Sequence, residues 1–190
     1  MPPKTRIPRE RVEEAAFEIA REKGTSAITA TGVAERLRCS TQPVYWWFGT
    51  MDSLKAAVRR RAGERYKSFL FQPVENVPRC KAAGINYIRF AKEERELFRI
   101  LFMSETKAVP ILESTLDENK EELLGIIRMQ TGLDDIRANR LYTAMWIFTH
   151  GIAVMLATGA AAFSEREIGE MLTDAYRGFL CRFRGREEIS

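Results

Sequence analysis

The chain has 190 residues, 45% of them hydrophobic and 29% charged, which excludes wholesale disorder and allows one or two domains with a real core. Three scattered cysteines, Cys39, Cys80 and Cys181, exclude a disulfide framework, and one histidine without a Cys/His cluster leaves no expected metal or cofactor. The net charge of +4 is uneven: residues 1–65 carry 13 Lys and Arg against 8 Asp and Glu, so an anionic partner is expected at that end, nucleic acid or membrane surface.

The opening, Met1 to Ala16, has no continuous apolar run of the kind that starts a secretory signal, which points to a cytoplasmic protein. Apolar residues then recur every three or four positions, and strand signals are weak. A first helix carries Val12, Ala15, Ala16, Ile19 and Ala20 on one face, with Pro8 in its first turn and Gly24 as its stop. Thr29 is placed to cap a short second helix bearing Val33, Ala34 and Leu37. Ser40 is placed to cap a third, with Pro43 still in its first turn, and Gly49 ends it. A longer helix begins near Met51 and stops before Pro73.

Beyond it the pattern predicts helices over 79–92 and 97–103, then a long one opened by Pro110 and running from Ile111 to about Gln130. Gly132-Leu133-Asp134 marks a turn. Leu141 to Phe163 holds no charged residue for 23 positions, the length of a membrane span. Its Thr143, Thr149, His150, Gly151 and Thr158 make it read better as a helix buried on most sides, so no membrane partner is expected. Ser164 and Glu167 form a capping box for a last helix with Ile168, Leu172, Ala175, Tyr176, Phe179 and Phe183 on one stripe.

Helices two and three are short and joined by Arg38-Cys39-Ser40, the spacing of a helix-turn-helix, whose second helix lies in the DNA major groove. On a period of 3.6, Val44 and Phe48 enter the core, and Thr41, Gln42, Tyr45 and Trp46 face largely outward. Gln42 suits a base edge, adenine best, and Thr41 a base or a phosphate. Tyr45 and Trp47 are amphipathic donors suited to phosphate oxygens. The bland alternative, that all these aromatics are core, holds for Val44 and Phe48. It fits Trp46 and Trp47 poorly, because a seven-residue helix cannot bury every face.

The stretch from Ile7 to Leu54 resembles the N-terminal DNA-binding domain of the TetR/AcrR family of bacterial transcriptional repressors. The resemblance rests on Ala15-Ala16, Gly24, Thr29-x-x-x-Val33-Ala34, Ser40, Val44-Tyr45, Phe48 and Leu54, with the Tyr45, Phe48 and Leu54 spacing its most specific part. A weaker likeness is Trp146-x-x-x-His150-Gly151. The resemblance implies an all-α fold: a three-helix helix-turn-helix domain (1–55), joined by a long helix to a C-terminal ligand-binding and dimerisation bundle (56–190). It implies DNA contacts at Thr29, Thr31, Ser40, Thr41, Gln42, Pro43, Tyr45, Trp46 and Trp47. Met51 stands where the family usually carries a phosphate-holding Lys; its backbone N–H, Lys55 one turn on, and Lys4, Arg6 and Arg9 are the expected substitutes. Arg59-Arg60-Arg61 fans around the helix and cannot form one DNA-facing surface, so it reads as a solvated stretch of helix.

For the C-terminal bundle the resemblance implies an effector pocket, for which Phe90, Phe98, Phe102, Met103, Met129, Tyr142, Trp146 and His150 are the candidates. His150 on its own reads as a satisfied core histidine, a ligand donor or a pH-sensitive group. The resemblance also implies a homodimer through the last two helices, matching a palindromic operator in double-stranded DNA. No nucleophile, base or paired-carboxylate set stands out, so an enzyme is not expected. The function that follows is a repressor released from its operator by a small molecule. The alternative is a helical ligand-binding protein that no longer reads DNA.

Overall fold

The computed structural model describes residues 7–103 and 117–185. Among these residues the chain is all-α: α1 (Arg9–Lys23), a 3-10 turn (Thr25–Ala27), α2 (Ala30–Leu37), α3 (Gln42–Phe48), α4 (Met51–Leu70), α5 (Arg79–Glu93), α6 (Arg95–Phe102), α7 (Asp117–Thr131), α8 (Asp135–Thr158) and α9 (Glu165–Arg184). The expected start of the long helix at Pro110 and Ile111 lies outside the described residues.

Most helix ends are where the local chemistry puts them. Gly24 closes α1 at φ +81°, a backbone conformation that favours glycine. The Thr29 hydroxyl accepts the Gly32 N–H at 3.0 Å and caps α2. Arg38 makes the corner after α2 in the left-handed conformation, φ 53°. The expected Ser40 cap is not formed. The N-cap of α3 is Thr41, already helical, with no side-chain bond; the Val44 N–H reaches the Thr41 carbonyl instead, and Ser40 is exposed. Thr50 caps α4, accepting the Ser53 N–H at 3.1 Å. At the other end of α4, the buried Asn86 amide donates to the carbonyls of Leu70 (3.3 Å) and Gln72 (2.7 Å). Those two bonds satisfy backbone acceptors that helix termination leaves open. The capping box on α9 is complete: the Glu167 N–H reaches Ser164 Oγ at 3.3 Å and the Ser164 N–H reaches Glu167 Oε2 at 2.8 Å.

The chain divides into two compact units. One takes the chain up to Arg65 together with the segment from Glu94 through α6; the other takes Tyr66–Glu93 and the chain from α7 onward. The split falls inside α4, within the 60–70 stretch where the sequence pattern puts a boundary and ten residues beyond the 55/56 division that the resemblance implies. In the first unit, Val12, Ala16, Val33, Val44, Leu54 and Val58 form the core, and α6 packs on α1 with Leu97 and Phe98 fully buried. Charge pins α6 there at both ends. The buried Glu94 carboxylate, just before α6, accepts two hydrogen bonds from Arg21 (2.6 and 2.9 Å) and two from Arg65 (3.2 and 3.0 Å). Arg59 donates to the Ile100 and Leu101 carbonyls in its last turn.

The other two arginines of the triplet also have protein partners. Arg60 pairs with Glu13 and Glu64, both at 3.1 Å. Arg61 pairs with Glu14 and lies over the Phe17 ring at 4.7 Å. The triplet fans as expected: Arg60 faces water while pairing with α1, and Arg59 and Arg61 are half-buried against α6 and α1.

In the second unit, α8 packs against α5, α7 and α9. Leu141, Tyr142, Ile152, Ala153 and Ala157 of α8 are buried, which accounts for the lack of charge on that face. By length and composition α8 could cross a membrane; only about a third of its apolar stretch is buried against its neighbours, less than the burial on most sides that the sequence led us to expect. On α8, Leu141 and Ile152 face inward, and Met155 faces out with Ile147 and Gly151.

Candidate functional site

The first candidate site is the outer face of α3. Val44 and Phe48 sit in the core, 1% and 7% exposed, and pull the other face outward. Tyr45 and Trp46 are about half exposed (51% and 52%), Gln42 is exposed, and Thr41 and Pro43 are half-buried. So much aromatic surface on one short helix has an apolar cost that water does not repay. Trp46 and Trp47 stack on each other, ring centroids 5.9 Å apart. Thr29 and Thr31, at the start of α2, are exposed, and Lys55 on α4 is half-buried. The Thr29 hydroxyl spends its acceptor side on the cap, which leaves its proton for an outside acceptor such as a phosphate oxygen.

Two expected phosphate donors are already engaged. The Trp47 indole N–H donates to the Ile7 carbonyl at 2.9 Å. It ties the entry of the chain to α3, and sequence reasoning had no signal for that long-range bond. Arg9 lies over the Phe48 ring at 5.0 Å. Lys4 and Arg6 lie outside the described residues. Thr50 is the residue that the sequence reading missed. Its cap on α4 orients the first N–H groups of that helix, next to the C-terminal end of α3 and at the position of Met51.

The second candidate site is a cavity inside the second unit. Its unfilled space is ≈ 700 Å³ counted out to the mouth, open solvent included. Tyr66, Tyr87, Tyr142, Trp146 and Tyr176 supply the aromatic walls; Leu70, Leu123, Ile127 and Leu172 are among the aliphatic ones. Gly84 on α5 lies at the crossing with Leu172 and Thr149, where a Cβ would make ordinary contact with Leu172 at 3.5 Å.

Of the eight residues expected to line an effector pocket, the cavity brings together Tyr142 and Trp146. His150 backs the wall. Its Nδ1 is 2.8 Å from the Tyr87 hydroxyl, and its ring stacks on Trp146 with centroids 5.0 Å apart. Phe90 is one layer behind, fully buried against Tyr66 and Phe69. The other four are elsewhere. Phe98 and Phe102 are on α6 and pack on each other within the first unit, centroids 5.1 Å apart. Met103 ends α6 at 38% exposure, and Met129 is 81% exposed on α7. The correction has one physical cause: hydrophobic type tells which residues are buried, not which buried residues share a wall. Tyr66, Lys81, Asn119, Thr149 and Tyr176 line the cavity and were not foreseen; each is unremarkable in local sequence.

Burial sets the titration of this wall. It pushes the Tyr66, Tyr87 and Tyr176 phenols up and the Cys80 thiol up to about 11, and it pushes the His150 imidazole down. All five are therefore neutral at pH 7. The Trp146 indole N–H is buried beside the Tyr87 hydroxyl without reaching normal hydrogen-bond geometry. Among the described residues no cluster of metal-ligating side chains occurs.

No protein-family profile and no curated protein sequence matches the chain. Solved structures do. A TetR-like transcriptional regulator from Rhodococcus sp. RHA1 is 20% identical, with 93% of this chain and 99% of that one covered, at a TM-score of 0.63. A TetR variant from Acinetobacter baumannii AYE, in complex with minocycline, is 19% identical over 97% of this chain and 99% of its own, at 0.57. A TetR transcriptional regulator from Agrobacterium tumefaciens is 20% identical over 91% and 92%, at 0.59. The fold of this chain is the all-α fold of these regulators over nearly its whole length.

Proposed function

We propose that this protein is a sequence-specific DNA-binding transcriptional regulator, a repressor released from its operator when a small molecule occupies the cavity of the second unit. The observation that carries the reading is the outer face of α3, with Gln42, Tyr45 and Trp46 exposed above a core of Val44 and Phe48. Gln42 reads base edges; Tyr45 and the Thr29 hydroxyl hold phosphates. A cavity of this size and lining in the other unit supports the effector half, as does a similar fold that holds a small molecule. Release requires that the effector bind the DNA-free conformation more tightly than the DNA-bound one.

The working form is a homodimer through α8 and α9. Ile147 (54% exposed), Gly151 and Met155 (37% exposed) make an apolar strip on α8 that a second copy would cover. Two-fold symmetry then matches a palindromic site. The protein acts in the cytoplasm, as a binding protein and not an enzyme.

The test is selection of genomic fragments by the purified full chain at near-physiological salt. Recovery of one palindromic sequence is the expected result. Sequence-blind recovery that fades with salt, or no recovery, favours the second reading, a helical ligand-binding protein that does not read DNA. Met51 and the engaged Trp47 N–H are the observations on that side.

A further inference from the structure

The cavity wall has a charge character. Among the described residues no Asp or Glu lines it, and Lys81 is its one charged side chain. The Lys81 ammonium is held in place: it donates to Thr173 Oγ1 at 2.6 Å, and the Thr173 hydroxyl donates in turn to the Gly169 carbonyl at 2.7 Å. An ammonium has three donors, so two remain for a ligand. The rest of the described wall is aromatic, aliphatic or neutral at pH 7.

Asn119 adds a second polar point. It is 4% exposed, it lines the cavity, and its Oδ1 is buried with no hydrogen-bond partner among the described residues. A buried amide oxygen without a partner is costly, and a ligand donor would relieve that cost. The two ends of an amide side chain exchange by a simple flip. A hydroxyl both donates and accepts, so it satisfies Asn119 in either orientation.

We infer that the cavity takes a planar aromatic molecule, uncharged or with one negative charge, that presents a hydroxyl or carboxylate to Asn119 and Lys81, and that it discriminates against the cationic counterpart. Aromatic faces alone would also accept a cation. The fixed ammonium of Lys81, with no carboxylate among the described wall residues, turns this site against one, because a cation entering it loses its water and meets a like charge. The inference rests on the reading of this cavity as the effector site.

The experiment is calorimetric titration of the full chain, without DNA, with a matched series: 2-naphthol, 2-naphthoate and 2-naphthylmethylammonium. The expected result is one site per chain for the naphthol and the naphthoate, with the ammonium at least tenfold weaker. Lys81→Met removes most of the margin of naphthoate over the ammonium. Asn119→Leu weakens naphthol about tenfold and leaves naphthalene unchanged, and thermal melting confirms that both variants fold. Equal or tighter binding of the ammonium overturns the inference, as does failure of all three probes to bind, or an Asn119→Leu protein that binds naphthol as before. A second measurement separates this from the regulator reading. Ligands that bind as stated but leave an operator complex intact count against effector release and not against the charge selectivity.

Discussion

Removing the two arginines that hold Glu94 most directly tests how the first unit is held. The Glu94 side chain is 2% exposed, and the two arginines it binds are 42% and 45% exposed. Replacing Arg21 with Ala leaves the carboxylate its two bonds to Arg65, so the cost is that of part of a charge-assisted pair. Discounted for the solvent around a half-exposed guanidinium, that is about 1–2 kcal/mol. Arg65→Ala is similar. Removing both strands a buried carboxylate, which costs about 3–5 kcal/mol. The double variant should therefore exceed the sum of the singles by about 1 kcal/mol. The assay is guanidinium unfolding followed by tryptophan fluorescence in a Trp146→Phe background, where Trp46 and Trp47 report on the unit that holds α3. An additive double variant, or an Arg21→Ala protein already as unstable as the double, would refute the shared-carboxylate argument.

Three more expectations can be checked. Gln42→Ala should relax base choice at one operator position by about 1–3 kcal/mol of discrimination, and Tyr45→Phe should weaken all sequences alike; competition binding against single-base operator variants separates the two. Ile147→Glu should convert the proposed dimer to monomer in sedimentation equilibrium while the far-UV spectrum stays unchanged, and a dimer that persists would remove α8 from the interface. Burial lowers the folded His150 imidazole below the ordinary value, so the unfolded chain takes up the proton first. Its contribution to stability is whole above about pH 6.5 and is lost as pH falls through the lowered folded value. His150→Phe should flatten the melting temperature across that window, and an unchanged slope would place the acid sensitivity elsewhere.

Helix identity and helix ends were legible residue by residue because they depend on neighbours within one turn. Thr29, Gly24 and the Ser164–Glu167 box act on backbone groups at most four positions away, and they behave as local chemistry demands. Ser40 fails as a cap because Thr41 is already helical, a choice made by the packing of Val44 and Phe48. The outward face of α3 was also legible, since a 3.6-residue period with two core positions leaves the rest outside.

What sequence order could not carry was which distant residues meet. Glu94 with Arg21 and Arg65, Trp47 with Ile7, and Tyr87 with His150 are separated by 29 to 73 residues, and no local pattern encodes such pairs. The same holds for the cavity. Trp146 and Tyr142 share a helix turn and were found together, but their partners Tyr66, Asn119 and Tyr176 come from three other helices. Phe98 and Phe102 have the same composition as those walls and lie in another unit, because the pinned ends of α6 hold them against α1. Periodicity and capping determine the elements, since they are short-range; burial and charge pairing across the chain decide which side chains become a site.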